Sequence, residues 1–203
     1  MTGTSWDIVL IGGASGIGKS RLAAQLAAER AAFVVEFDDV VGAVEAMTTA
    51  EQHPAVHHFE GIPDVSRLPV GEVLDRQIAT ARALEPAVLG VVRNRLTVDV
   101  PAVIEGDYLT PYAVSAAIHE GRAAGRRVQA VFLHEGDADR ITANYASREP
   151  GSDEQRHRAQ VSAAYSHWLA DQAARHALPV VDCRPWNTLA ARVGGELAGR
   201  RVS

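Results

Sequence analysis

Gly13-Ala14-Ser15-Gly16-Ile17-Gly18-Lys19-Ser20 constrains this chain more than any other stretch. It fits G-x-x-x-x-G-K-[ST], a loop that turns its backbone N–H groups inward around phosphate oxygens. The glycines let the backbone come close to those oxygens. Trp6-Asp7-Ile8-Val9-Leu10-Ile11 before it reads as a buried strand. Ser20-Arg21-Leu22-Ala23-Ala24-Gln25-Leu26-Ala27 after it reads as a helix whose positive N-terminal end faces the phosphates. In this reading Gly13, Ala14, Ser15, Gly16, Ile17 and Gly18 cradle a nucleotide. Lys19 reaches its β- and γ-phosphates and Ser20 gives its hydroxyl to Mg²⁺. Such a match arises by chance in about one chain in a hundred of this length, so composition matters. Of the 20 basic residues, Lys19 is the only lysine. A chain that otherwise uses arginine keeps its lysine where the motif asks for one. The alternative is a glycine-rich turn of another α/β fold. A dinucleotide fingerprint has its glycine spacings in a different order.

Strand-like apolar runs recur at 33–37, 102–107, 127–133 and 179–182. Helical patterns lie between and after them, at 40–48, 71–97 with a break at Pro86, 110–124, 137–147, 154–176 and 187–200. Thr110-Pro111 opens its helix as N-cap and first helical residue. Residues 50–71, with His53-Pro54, Gly61, Pro63 and Pro69, read as a mobile insert. The alternation predicts an α/β fold with a mainly parallel sheet covered on both faces.

The 203 residues fit one domain with a small inserted lobe. The 20 basic and 25 acidic residues leave a formal charge of −5, which argues against a nucleic-acid partner. The lone cysteine, Cys183, fits a reducing cytoplasm and forbids an internal disulfide. No apolar run approaches a membrane span, and the N-terminus lacks a signal-peptide pattern.

Acids at strand ends are the next candidates. Glu105 ends the third strand, where it would share Mg²⁺ with Ser20 or be a solvated strand end. Asp38-Asp39 ends the second strand on the sheet edge where ligands bind. A carboxylate there would accept the proton of an attacking hydroxyl, or cap the helix from residue 40. Arg140 and Arg148 are eight residues apart, about two helical turns, and would close over a transferring phosphoryl group or lie in a salt-bridged helix. Arg67, Arg76, Arg93 and Arg95 would suit an anionic acceptor or a plain surface. Tyr108, Tyr112 and Phe59 would line a pocket or join the core. His53, His57 and His58 lack the four-ligand arrangement of a structural zinc site and read as loop or substrate contacts. His134 reads as a strand-end residue.

These residues together resemble the P-loop small-molecule kinases of the nucleoside-monophosphate-kinase type. The likeness is nearest to bacterial 2-phosphoglycerate-kinase-like and chloramphenicol-phosphotransferase-like proteins. It rests on residues 13–20, Asp38, 103–111, Arg140 with Arg148, and 182–189, with Glu105 standing where many P-loop proteins have Asp. The resemblance implies a three-layer α/β/α domain with a five-stranded parallel sheet of order 2-3-1-4-5. It implies an acceptor-binding insert at 50–100 and a helical lid at 136–158. It implies ATP with Mg²⁺ as donor, Asp38 as base, and the 182–187 loop, including Arg184 and Pro185, against adenine. The expectation is a cytoplasmic, monomeric or homodimeric phosphotransferase acting on a hydroxyl of a small metabolite or natural product. The alternative is a nucleotide-dependent regulatory ATPase or switch working through a protein partner.

Overall fold

The computed structural model describes residues 6–147 and 153–199. Five parallel strands, β1 (Ile8–Gly12), β2 (Phe33–Glu36), β3 (Ala102–Gly106), β4 (Val128–His134) and β5 (Val180–Asp182), lie in the order β2-β3-β1-β4-β5. This is the fold class and strand order expected from the sequence. β1 and β3 are buried at every position because helices cover both faces of the sheet centre, which is why they read as unbroken apolar runs. Gly12 lies opposite Gly106 on one side and Phe132 on the other. β1 and β3 therefore end level, and the loops leaving them emerge side by side. Ligands of open parallel sheets bind at that carboxyl edge.

Helix α1 (Lys19–Arg30) buries Leu22, Ala23, Leu26 and Ala27. Helix α2 (Phe37–Met47) follows β2 without a linker. This corrects the expected boundary: Asp38 and Asp39 sit in the first turn of α2, not at a strand end. Glu36 holds the N-cap position, so neither aspartate caps the helix. Phe37 drives the early start. Its side chain is fully buried, and a Cβ on Gly106 would come within 2.7 Å of the Phe37 Cβ. Only glycine lets the end of β3 pass so close, and that passage sets Asp38 beside the β3 loop.

Residues 48–69 form turns with one 3₁₀ turn (Val65–Arg67). Thr80 Oγ1 donates to the Ala55 carbonyl (2.7 Å) and ties this insert to helix α3 (Val70–Ala83). His57 bonds to Thr48 Oγ1 (2.9 Å) and Glu60 (2.6 Å), which makes it an internal strut of the insert. Helix α4 (Glu85–Leu96) has Pro86 in its first turn. Helix α5 (Pro111–Ala123) is capped by Thr110, whose Oγ1 accepts from the Ala113 N–H (3.1 Å). Helices α6 (Ala138–Ala146) and α7 (Asp153–Arg175) pack together, and α8 (Leu189–Gly199) closes the chain beyond β5. Arg148, one of the expected lid arginines, lies outside the described residues. Among the described residues no helix is long and apolar enough to cross a membrane.

Ile104, 1% exposed at the centre of β3, belongs to the buried hydrophobic core. Ile104→Ala is expected to cost about 2–5 kcal/mol of unfolding free energy, read by urea denaturation.

Candidate active site

The phosphate loop runs from Gly13 to the N-terminus of α1. Gly18, at the N-cap position, has φ 92°. A Cβ there would lie 1.9 Å from Cη2 of Trp186. Both the backbone conformation and the neighbour demand glycine. Trp186 belongs to a 3₁₀ turn (Trp186–Thr188) in the loop that was expected to face adenine. Cys183 also meets the phosphate loop, its thiol donating to the Ile17 carbonyl (3.4 Å). Burial pushes the Cys183 thiol up to about 12, so it is a packing group. Arg184 and Pro185 lie exposed beside this contact, with the Arg184 guanidinium 5.8 Å from the Trp186 ring. Arg192 fixes the loop by donating to the carbonyls of Asp182 (2.6 Å) and Pro185 (3.1 Å).

Lys19 is 6% exposed. Its Nζ donates to the Ala14 carbonyl (3.0 Å) and forms an ion pair with Asp107. Burial pulls the ammonium pKa down, but Asp107, Glu105 and Asp38 more than offset this and hold it above the ordinary lysine value. Next to this pair Ser20 Oγ donates to Glu105 Oε1 (2.6 Å). Burial raises the Glu105 pKa while that hydrogen bond lowers it, and the net is upward. Asp38 keeps one side open to solvent, yet the protein around it strips part of its hydration. That desolvation, then the negative charge of Asp107, pushes its carboxyl up to about 6 against an opposing pull from Lys19.

Lys19, Ser20, Glu105 and Asp38 thus come together as the sequence reading grouped them. Beside them it missed Asp107. The signal was available: strand side chains alternate, so Glu105 and Asp107 point the same way beyond the end of β3. The arrangement gathers more carboxylates than cations, with a hydroxyl and a carboxylate oxygen 2.6 Å apart. That donor set fits Mg²⁺, which takes one or two protein oxygens and completes its shell with phosphates and water. Among the described residues no group of three or more His, Cys, Asp or Glu is arranged to hold a metal alone.

On the other flank Arg140 lies 3.1 Å from Asp137 and 3.7 Å from Glu135, and Arg184 lies 3.9 Å from Glu135. Glu135, 6% exposed, was not singled out in the sequence. Asn144 of α6 donates to the Gly16 carbonyl (2.9 Å), tying this flank to the phosphate loop.

A chamber of about 410 Å³ opens from the phosphate loop. Ser15 and Asp107 line it beside Phe59 and Tyr108, as part of the acceptor expectation had it. The expected arginines do not line it. Arg67, Arg76 and Arg93 pair with Asp64, Glu72 and Glu120, and Arg95 donates to Asn94. Tyr112, 61% exposed, lines a separate cleft with His176. The far wall is α7, through Glu154, His157, Arg158, Val161 and Ser162. Their spacing puts them on one helix face, legible in the sequence, but nothing local says what that face meets.

A parallel sheet of this order with a phosphate loop between β1 and α1 defines the class, a P-loop kinase fold. The sequence matches the AAA domain family AAA_33 over residues 8–179, and the chain belongs to that family. No curated protein matches it. It is similar in structure to a gluconokinase from Sinorhizobium meliloti 1021, at 18% identity and a TM-score of 0.57, covering 96% of this chain and 92% of that one. A shikimate kinase from Acinetobacter baumannii in complex with shikimate follows at 12% identity and 0.55, covering 98% and 97%. A deoxyadenosine kinase from M. mycoides with bound dATP gives 12% and 0.51, covering 94% and 98%. These likenesses are of fold, and they agree with the resemblance to small-molecule P-loop kinases.

The raised Asp38 pKa has a consequence for stability. The folded state favours the protonated carboxyl, so stability is lost as pH rises from the ordinary 3.8 through about 6. In the nucleotide-free protein, Asp38→Asn is expected to melt higher than wild type above that window. The gap should close below it, as thermal melts across pH will show. A gap that persists in acid would mean the gain comes from elsewhere.

Proposed function

We propose that the protein is an ATP-dependent phosphotransferase that moves the γ-phosphate of ATP to a hydroxyl of a small metabolite or natural product, antibiotics included. The observation that carries this reading is Asp107: it pairs with Lys19 of the phosphate loop and also lines the chamber. Nucleotide and acceptor would meet across that one side chain.

In this reading the N–H groups of residues 13–18 and the N-terminus of α1 bind phosphate oxygens. Lys19 exchanges Asp107 for the β- and γ-phosphates. Ser20 and Glu105 would hold Mg²⁺, which when bound neutralises charge on those oxygens. The acceptor hydroxyl oxygen forms a bond to the γ-phosphorus as the bond from that phosphorus to the β–γ bridging oxygen breaks. ADP leaves, and the hydroxyl proton passes to Asp38, which must be ionised to take it. Arg140 and Arg148 offset charge on the transferring group, and Arg184 with Pro185 borders the nucleotide base. The net charge of −5 supports a small-molecule acceptor over nucleic acid, and the lone reduced Cys183 suits the cytoplasm.

The test is incubation with γ-labelled ATP, Mg²⁺ and a small-molecule extract of the source, beside Lys19→Ala. Label should enter a small product with the wild type only. Free phosphate alone, indifferent to any extract, would instead favour a regulatory ATPase. Once the acceptor is known, Asp38→Asn should lower kcat by about 10²–10⁴-fold and leave the KM for ATP nearly unchanged. Arg140→Ala should lower kcat with little change in acceptor KM if it meets the phosphoryl group only in the transition state.

A further inference from the structure

The chamber's lining limits what can enter it. Six of its lining residues are apolar or aromatic: Phe59, Val65, Val73, Tyr108, Tyr145 and Val161. Such walls bind rings through area and edge contacts. Among the described residues the uncharged polar side chains are Ser15, Ser66, Gln77 and Ser162. His157 also lines the chamber. Its Nε2 lies 2.8 Å from the Leu68 carbonyl, which can only accept, so that nitrogen carries the proton.

Among the described residues the acidic and arginine side chains of the lining are Asp107, Glu154 and Arg158. Two carboxylates face one guanidinium, and Asp38 and Glu105 stand close behind Asp107. Lys19 does not redress the balance, because Asp107 holds it now and phosphates would hold it with ATP bound. Arg158 lies over the Tyr145 ring, 4.5 Å from its centre, and contributes the one guanidinium among these lining residues. A carboxylate or phosphate entering beside it would meet two like-charged carboxylates, whose repulsion a single guanidinium offsets only in part. The insert's own arginines, Arg67 and Arg76, are paired with Asp64 and Glu72 and stay out of the chamber.

We infer that the acceptor is a ring-bearing alcohol that carries no carboxylate or phosphate: an uncharged or cationic molecule, set between the aromatic walls with its hydroxyl toward Asp107. This rests on the phosphotransferase reading above. It turns aside the anionic acceptors that the arginines of 67–95 suggested, and it sets this chamber apart from what the names gluconokinase and shikimate kinase suggest of those proteins.

The test uses three matched probes on the full chain: 4-(hydroxymethyl)benzamide, 4-(hydroxymethyl)benzylamine and 4-(hydroxymethyl)benzoate. Binding is read without ATP by ligand-observed NMR, and phosphorylated product separately by mass spectrometry with ATP and Mg²⁺. The amide and the amine should bind at least about ten-fold tighter than the carboxylate, a difference of about 1.4 kcal/mol. Glu154→Arg, at an exposed position in the first turn of α7, should shrink or reverse that ratio. Gln77→Trp, on the half-buried face of α3, should fill the chamber and abolish binding. A carboxylate that binds as well as the amide overturns the inference. So does binding that survives Gln77→Trp, or no binding of any probe at millimolar concentration. The two readings fail differently. The expected order without any transfer counts against the phosphotransferase alone, whereas transfer with the order reversed counts against the charge selection alone.

Discussion

The Lys19–Asp107 ion pair is the joint on which this structure turns. It links the first residue of α1 to the loop after β3, at the edge where the central strands end level. Both partners are shielded, with side chains 7% and 14% exposed. Shielded charges are costly unless paired and further bonded, and these are: Nζ also reaches the Ala14 carbonyl, and the Asp107 carbonyl accepts from the Tyr165 hydroxyl at 3.0 Å. Tyr165 is fully buried on α7, so the same joint reaches the helix that walls the chamber. Phosphate loop, central sheet and chamber wall thus meet within two residues. Removing either charge would leave the other without its partner, and the loss would spread to all three.

The fold was largely legible because its signals are local. Unbroken apolar runs separated by helical patterns, and one glycine-rich turn, sufficed for a parallel sheet; the strand order needed the resemblance as well. The half of the site carried by the phosphate loop was legible for the same reason. Elsewhere the reading faltered where a contact between distant segments decided the outcome. Asp38 and Asp39 look like strand-end residues until Phe37 is seen filling the space that Gly106 leaves, which starts the helix early. Glu135 is unremarkable in sequence until Arg140 and Arg184 converge on it from separate elements. Arg67, Arg76, Arg93 and Arg95 look like an anion site until each is found with a partner nearby on its own surface. The wall formed by α7 is the extreme case, since Asp107 and Glu154 stand 47 positions apart in the chain.

The lysine itself shows why composition and geometry are one argument here. A chain with 20 basic residues and a single lysine has strong reason to put arginine wherever arginine will serve. At position 19 it does not. The ammonium is nearly enclosed by its own loop and bonds to the Ala14 carbonyl five residues back. A compact, rotatable set of three donors can hold that carbonyl and a carboxylate together, then trade the carboxylate for phosphate oxygens by small rotations. A planar guanidinium is larger and holds its donors in a fixed fork, so it would press on Ala14 and could not make that exchange within the same space. The proposed exchange asks for a point charge able to change partners, lysine stands at that position, and its partner in the structure, Asp107, borders the chamber.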